Sequence, residues 1–315
     1  MEKKRCLVTG GAGFIGSHIV GLLVAQGHSV AVVDDLSSGR RENLPDEATL
    51  YEADICHDLE SIFEKEHPQI VFHLAAQVSV SVSVREPEVD AQLNILGSIS
   101  LLEYCRKYKV ERVVYSSSGA AYGEPESLPL DEDHSTYGVS PYGISKYMVE
   151  RYLYYYRYQF GIDFVALRYA NVYGPRQDPH GEAGVASIFC EHLLKGKDIV
   201  IYGDGRQTRD FVFVEDVASA NICAMDAGID PAIFPAFNVS TQVQTNINTL
   251  FELIAKHAGS TQKPIYADKR PGDVLDSCLA NQKIKKHLNW SPQFDPDEGI
   301  RRTVEFFKDK INSEE

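Results

Sequence analysis

Short runs of aliphatic and β-branched residues alternate with segments of helical periodicity through the first half of the chain. The short runs predict strands, and the periodic segments between them predict helices. Such βαβα order is typical of an α/β fold with a doubly wound parallel sheet, whose binding crevice lies at the carboxyl ends of the strands. The predicted strands are Cys6 to Thr9, Ser29 to Asp34, Gln69 to Leu74 and Arg112 to Ser116, and the predicted helices are Ser17 to Gln26, Leu59 to His67 and Asp90 to Tyr108.

The segment Gln77 to Val84 alternates between valine and polar residues, which by itself suggests a strand. It directly follows one predicted strand and precedes a long helix, however. Ser79 and Ser83 also lie four residues apart, on one face of a helix. We therefore expect a loop and a short helix here.

After about Tyr169 the chain contains more Pro, Gly and Asn and shorter elements. We expect a first domain over residues 1–168 and a smaller C-terminal α/β lobe over residues 169–315, with segments near 211–240 returning to the first sheet. The strand candidates here are Arg168 to Gly174, Ile199 to Tyr202, Phe211 to Val214 and Phe237 to Val239.

Composition and charge exclude several classes of protein. The 315 residues are 43% hydrophobic and 24% charged, as in ordinary globular proteins. With a net charge of −14 and no run of Lys or Arg, a nucleic-acid partner is not expected. The six cysteines are far apart without a Cys-x-x-Cys, which indicates reduced thiols in a cytoplasmic protein without a metal site.

No apolar run reaches transmembrane length, so we expect no membrane association. Met1 to Arg5 carry the charges of a secretory leader, but Thr9-Gly10-Gly11 interrupts the apolar run that follows. We expect this segment to start a fold and not to act as an export signal.

A glycine-rich loop, Thr9 to Gly16, follows the first predicted strand and opens a helix. It fits G-x-G-x-x-G from Gly11 and the wider G-x-x-G-x-x-G from Gly10. These glycines permit a tight turn and let backbone amides approach a pyrophosphate at the helix N-terminus. Alone the motif is weak, but its place in the first βαβ unit predicts a Rossmann dinucleotide site made by Gly10, Gly13, Phe14, Ile15 and Gly16.

Acidic residues follow the next two strands. Asp34 and Asp35 stand 23 and 24 residues after Gly11, near the spacing expected for a carboxylate that binds the adenosine ribose. Such a carboxylate would repel a 2′-phosphate, so NAD is favoured over NADP. Asp54 and Ile55 are candidates for contact with the adenine, although turn residues are the alternative in each case.

Ser140-Pro141 predicts a helix start, and Tyr142 and Lys146 follow at i and i+4 on one face. A nearby ammonium favours phenolate, which would lower the pKa of Tyr142 and make it a base near neutral pH. The Tyr-x-x-x-Lys pattern is frequent on helices. The serine-rich strand end Ser116 to Ser118, which lies upstream, supports a functional reading of the pattern here.

Taken together, the motifs resemble those of the extended short-chain dehydrogenase/reductase superfamily, in its nucleotide-sugar epimerase branch. The similarity spans nearly the whole chain and keeps the order of the family's motifs. They are Thr9 to Gly16, His73 to Ala76, Ser116 to Gly123, Tyr142 with Lys146, Leu167 to Arg176, Arg209 to Phe211 and Arg270 to Asp273.

The resemblance implies roles for individual residues. Ser118 would hydrogen-bond the reacting sugar hydroxyl, Tyr142 would be the base, and Lys146 would also hold the nicotinamide ribose. Ala75 would belong to the cofactor site, and Gly181 to Gly184 would begin a loop over the uridine. The implied contacts to the nucleotide diphosphate and its ribose are Asn171, Arg209, Arg270 and Asp273.

In this superfamily the two positions after the catalytic Ser or Thr separate the chemistries. Dehydratases carry Asp-Glu there and decarboxylases carry Glu at the second, whereas this chain has Gly119 and Ala120. The resemblance therefore implies NAD-dependent 4-epimerisation of a UDP-hexose, glucose to galactose, by oxidation at C4 and return of the hydride to the other face. UDP-glucuronate or UDP-pentose epimerisation, a sugar-nucleotide lyase and a non-catalytic NAD-binding regulator remain as alternatives.

Two finer expectations also follow from the resemblance. A position seven residues after the motif arginine limits the sugar pocket, and here it is Ser277, a small residue that predicts acceptance of UDP-GlcNAc and UDP-GalNAc. The family further implies a homodimer through the helices around Asp90 to Tyr108 and Gly143 to Phe160.

Overall fold

The computed structural model describes residues 2–180, 184–269 and 275–314. Its strands are β1 (Arg5–Thr9), β2 (Ser29–Asp34), β3 (Thr49–Glu52), β4 (Ile70–His73), β5 (Arg112–Ser118), β6 (Asp163–Tyr169), β7 (Asn171–Tyr173), β8 (Val200–Tyr202), β9 (Thr208–Phe213), β10 (Ala236–Val239), β11 (Gln244–Asn246) and β12 (Ile265–Ala267). Its α-helices are α1 (Phe14–Ala25), α2 (Glu60–Glu66), α3 (Val80–Arg85), α4 (Pro87–Asp90), α5 (Gly97–Lys107), α6 (Pro141–Phe160), α7 (Val185–Leu194), α8 (Val214–Asp226), α9 (Ile247–Ala258), α10 (Gln282–Leu288) and α11 (Pro296–Glu314).

The central sheet has seven parallel strands in the order β10-β6-β5-β4-β1-β2-β3. The strand order reverses direction between β1 and β4, which is where ligands bind in doubly wound sheets. The predicted fold class, a doubly wound parallel Rossmann sheet, is confirmed.

Side chains of the sheet alternate between two apolar cores because successive residues of a strand point to opposite faces. In β1, Val8 packs into the core shared with α1, α8 and α10, whereas Leu7 packs into the core shared with α2, α5 and α6. Both side chains are fully buried. Helices therefore cover both faces, as the nearly continuous apolar strands require.

A third core lies outside the central sheet. It is formed by β7, β9 and the helices α7, α9 and α11, with Tyr173, Phe213, Phe251 and Phe307 among its buried members. Here β7, β9 and β11 form a three-stranded sheet, and β8 pairs with β12. From the same half of the chain, β10 joins the edge of the seven-stranded sheet.

Two predicted strand boundaries are wrong at the strands that lead to the crevice. β5 continues to Ser118, because Ser116 to Ser118 pair with Leu167 to Tyr169 of β6. Arg168 to Gly174 is not one strand: β6 ends at Tyr169, and β7 begins at Asn171 and pairs with β9 in another sheet. The chain leaves the central sheet at Ala170, whose amide donates to the carbonyl of Val239.

Other local expectations fare better. Ser79 caps the short helix α3 by accepting a hydrogen bond from the amide of Val82, so the loop-and-helix prediction is confirmed. The long helix predicted from Asp90 is present, but Ala91–Leu96 form a π-helical turn between α4 and α5. The bounds of β3, the strand that precedes Asp54, could not be predicted, because this edge strand is only half-buried and lacks a clear apolar pattern. Among the described residues, no helix is both long enough and apolar enough to cross a membrane.

Candidate active site

A cavity of about 1260 Å³ opens at the carboxyl ends of β1, β2, β4 and β5. It brings together residues that are far apart in sequence, as the doubly wound topology predicts. The residues expected at the site that line it are Gly10, Gly13, Phe14, Ile15, Gly16, Asp34, Asp54, Ile55, Ala75, Ser118, Tyr142, Lys146 and Asn171.

The glycine loop forms a surface of backbone atoms at the start of α1. Gly10 has a φ of +66°, and a Cβ on Gly16 would lie 2.1 Å from the Gly10 carbonyl oxygen, so neither position accommodates a side chain. Gly13, the residue before α1, provides no side-chain hydrogen bond to the first turn. First-turn amides therefore remain available to a ligand oxygen. This cradle fits the pyrophosphate of a dinucleotide.

Asp34 holds the loop and also faces the cavity. One carboxylate oxygen accepts a hydrogen bond from the amide of Ala12 at 2.9 Å, and the other accepts from the amide of Leu36 at 2.9 Å. Burial raises the pKa of Asp34 although these amides lower it. Each carboxylate oxygen has a second lone pair, so binding a ribose and shaping the turn are compatible roles.

Asp54 and Ile55 follow β3 and line the cavity. The Asp54 carboxylate accepts a hydrogen bond from the amide of Cys56 at 2.8 Å, and Ile55 is buried. Asp54 is thus a turn residue that also lines the cavity, and adenine contact remains a prediction for it.

His73 connects the glycine loop to the helices behind the site. Burial lowers the pKa of His73 to about 3, so its imidazole is neutral. Ser98 donates its hydroxyl hydrogen to the carbonyl of Asn94, which leaves Ser98 to accept from Nε2 of His73 at 2.8 Å. Nδ1 then accepts from the hydroxyl of Thr9 at 2.8 Å. This neutral chain ties the end of β1 to α5.

Ser118, Tyr142 and Lys146 meet where β5 ends against α6. Ser140 caps α6 by accepting from the amide of Gly143, with Pro141 in the first turn, as predicted. The Lys146 ammonium is buried, donates to the Ser116 carbonyl at 2.9 Å and lies 5.8 Å from the centre of the Tyr142 ring. Ser118 accepts from the amide of Ala120 at 3.1 Å, so its own hydrogen can be donated to a neighbouring oxygen.

The expected lowering of the Tyr142 pKa is not found. Burial raises this pKa, a hydrogen bond with Ser118 acts against the increase, and the charge of Asp90 adds to it. Burial also lowers the pKa of Lys146 to about 8, with Asp90 acting in the other direction. Desolvation is therefore the main influence on the pKa values of both groups, and it opposes the charged form of each.

The predicted substrate residues are only partly assembled. Asn171 begins β7 and lines the cavity, whereas Arg209 and Ser277 are not among the described lining residues. The carbonyl of Thr208 accepts two hydrogen bonds, from the guanidinium of Arg209 at 2.8 Å and from the amide of Ser277 at 3.2 Å. Arg270, Asp273 and the loop residues 181–183 lie outside the described residues.

The structure adds cavity residues that the sequence argument did not assign. Arg176 lines the cavity, and burial lowers the pKa of its guanidinium. One face of α11 also lines the cavity. Its four residues stand at i, i+3, i+4 and i+7, the spacing of one helix face, which was the available signal in the sequence. These residues are Phe306, Asp309, Lys310 and Ser313.

No group of three or more His, Cys, Asp or Glu side chains is placed to hold a metal ion in the part of the chain that the structure describes.

Comparison with known proteins agrees with this geometry. Residues 6–239 match the model of the NAD dependent epimerase/dehydratase family, and the chain belongs to that family. A UDP-glucose 4-epimerase of Mycolicibacterium smegmatis is 45% identical over 97% of this chain and 99% of its own. A crystal structure of the Thermotoga maritima UDP-glucose 4-epimerase with UDP-glucose has a TM-score of 0.93 at 47% identity, covering 97% of this chain and 99% of that one.

A third similar protein acts on a different sugar. The UDP-N-acetylglucosamine 4-epimerase of Methanobrevibacter ruminantium, solved with UDP-N-acetylmuramic acid, has a TM-score of 0.93 at 39% identity. It covers 98% of this chain and 100% of its own. The family expected from the sequence is confirmed, and NAD is the cofactor of that family.

The glycine cradle can be tested by adding one methyl group. In Gly16→Ala the new Cβ would collide with the Gly10 carbonyl at 2.1 Å, so the loop must open and we expect loss of bound NAD. Gly21→Ala, on the same helix, meets nothing within 4 Å and should keep NAD, with stability raised by about 0.5–1 kcal/mol. The measurement is NAD released per chain after denaturation. Equal NAD content in both variants would contradict the assignment.

Proposed function

We propose that the protein is an isomerase, an NAD-dependent 4-epimerase of UDP-hexoses that interconverts UDP-glucose and UDP-galactose. The observation that carries the proposal is the placement of Ser118, Tyr142 and Lys146 on the wall of the same cavity as the glycine cradle. Bound NAD would supply a reversible acceptor for the hydride on the sugar's C4. Since the same hydride returns, no net oxidation occurs.

The side chains account for the proton that leaves the C4 hydroxyl. Tyr142 is the base, and Ser118, whose oxygen already accepts from the amide of Ala120, donates to the oxygen that carries the developing charge. Lys146 is fixed by the Ser116 carbonyl beside the phenol ring. Since burial raises the pKa of Tyr142, additional positive charge beside the phenol is needed to favour phenolate.

The turn after Ser118 argues against a lyase. Gly119 and Ala120 form a 3₁₀ turn without an ionisable side chain. A Cβ on Gly119 would lie 3.2 Å from Leu279, so the packing of this turn leaves little room for an acidic side chain. Elimination of water or loss of CO₂ requires a second proton carrier that this turn does not provide.

A panel of UDP-sugars tests the proposed reaction. Without added NAD, the wild type should convert UDP-galactose to UDP-glucose, with the product identified by chromatography. Tyr142→Phe removes the base and should lower kcat by at least a hundredfold while NAD stays bound. Tyr158→Phe, on the same helix but 81% exposed, is the matched control and should retain activity. Conversion of only UDP-glucuronate or a UDP-pentose, or a product lighter by water or CO₂, would contradict the proposal.

We further propose that the pocket accepts 2-acetamido sugars. Ser277 is small and half-buried. A Cβ on Gly119 would lie 3.2 Å from Leu279, two residues after Ser277, so the segment that carries Ser277 runs beside the turn after Ser118. The name of the Methanobrevibacter relative is consistent with a wider pocket.

Ser277→Tyr tests this width. The larger ring should lower kcat/KM for UDP-GlcNAc at least tenfold and leave kcat/KM for UDP-glucose within about threefold, because only the acetamido group needs the extra space. Ser277→Ala is the control of small size. If Ser277→Tyr leaves the ratio of kcat/KM for UDP-GlcNAc to kcat/KM for UDP-glucose unchanged, the assignment of Ser277 is wrong.

We propose a homodimer in which α5 and α6, which cover one face of the central sheet, form the contact between the two copies. Large apolar side chains are exposed there, including Leu96 at 52% in the turn before α5 and Tyr155 at 50% on α6. A second copy of the chain would cover both helices and remove these side chains from water.

Sedimentation can decide the oligomeric state. The wild type should sediment at twice the 35.1 kDa chain mass, and Leu96→Glu with Met148→Glu should give monomers, because both charges would be buried in the contact. Val243→Glu, at an exposed position away from these helices, should remain a dimer. A monomeric wild type would refute the proposal.

We also propose the cytosol as the compartment, because all six cysteines are free thiols, which persist under reducing conditions. Recovery of the chain in a periplasmic or culture fraction would contradict this.

A further inference from the structure

A buried ion pair that no step of the proposed reaction uses joins α6 to β6. Glu150 on α6 is fully buried and Arg168 on β6 is 2% exposed. The guanidinium binds both carboxylate oxygens, with Nε to Oε1 at 2.9 Å and Nη2 to Oε2 at 2.6 Å. Burying two charges costs desolvation free energy, which the attraction between them offsets at best in part. Stability alone is therefore a weak reason for its presence.

The pair has a third member in the catalytic strand. The hydroxyl of Ser117 donates to Oε1 of Glu150 at 2.6 Å. Ser117 stands between Ser116, whose carbonyl accepts from Lys146, and Ser118. Glu150 follows Lys146 by four residues and so lies on the same face of α6. Helix and strand are thus joined at two consecutive strand residues.

The network continues away from the cavity. Arg168 pairs with Ser117 in the β5–β6 ladder, and its guanidinium lies 4.7 Å from the centre of the Tyr122 ring. Tyr122 donates to the side chain of Asn238 at 2.7 Å, and Asn238 donates to the carbonyls of Leu130 and Ala280 at 3.0 Å each. The turn that follows Ser118 is therefore linked through Tyr122 to Asn238 of β10, and through Asn238 to the segment after Cys278.

We propose that Glu150 is a positioning residue, which fixes α6 against β5 through Ser117 and Arg168 and so sets the separation of the Tyr142 and Ser118 hydroxyls. This second tie lies one helical turn beyond the bond from Lys146 to Ser116 and so limits rotation of α6 relative to β5. Proton transfer requires the base within hydrogen-bond reach of the reacting oxygen, and small displacements are costly. The inference rests on the proposed function of Ser118 and Tyr142.

Variants can separate positioning from folding. Glu150→Gln alone would leave a buried, unpaired guanidinium and destabilise the chain, so the charges are removed together in Glu150→Gln with Arg168→Gln. Ser117→Ala removes only the tie to the strand and keeps the ion pair. A matched control is Arg112→Gln with Asp163→Asn, which removes an ion pair at 2.5 Å between the first residues of the same two parallel strands, at the end away from Ser117 and Arg168.

We expect a fall in kcat of roughly tenfold for Ser117→Ala and about a hundredfold for the Glu150/Arg168 double variant, on the scale of small displacements at an active site. KM for UDP-galactose should stay within about threefold and bound NAD should be unchanged, since Glu150 and Arg168 are not among the described residues that line the cavity and the Ser117 hydroxyl donates to Glu150. The Arg112/Asp163 double variant should change the unfolding temperature but not kcat.

Wild-type values of kcat in folded Ser117→Ala and in the Glu150/Arg168 variant would overturn the inference. So would equal losses of kcat in the Arg112/Asp163 control, which would indicate a general effect of stability. If the Glu150/Arg168 variant does not fold, Ser117→Ala decides alone. Failure of the proposed function is seen separately, as a wild type that converts no UDP-hexose.

Discussion

The buried bond from the Lys146 ammonium to the Ser116 carbonyl, 2.9 Å long, is the contact on which the site depends. A charged group can be kept inside a protein only where fixed polar atoms meet it, so the position of this bond is restricted by the cost of leaving the ammonium unpaired. It joins α6 to β5 at the crevice. Tyr142 lies one turn earlier on the helix and Ser118 two residues later on the strand, so both hydroxyls depend on it.

Close approach of backbone to backbone is the second condition for this arrangement. A Cβ on Gly143 would lie 2.3 Å from the carbonyl of Ala120, so the first turn of α6 rests directly on the turn that follows Ser118. Gly16 makes the corresponding contact in the glycine loop, against Gly10. Because main-chain atoms cannot move aside as a side chain can, both walls of the cavity are placed by positions that must be glycine.

Features that depend on neighbouring residues were predictable. The glycine loop, the Ser140-Pro141 helix start and the short helix within Gln77 to Val84 each involve contacts within a few residues, and each is found where the pattern indicated. The strand predicted from Arg168 to Gly174 was wrong because its two halves pair with different sheets, β6 with β5 and β7 with β9. The direction of the Tyr142 pKa was also missed, since it depends on how deeply packing buries the phenol.

The sequence by itself determined which chemical groups the chain has, in which order, and hence the family and the absence of an acid after Ser118. Only the tertiary structure decided which distant groups share one cavity or one network. The α11 face with Lys310 reaches the cavity, and Ser117, Glu150 and Arg168 meet behind the catalytic strand. Such contacts join separate elements, and their geometry comes from how helices and sheet pack together, which no local pattern of residues encodes.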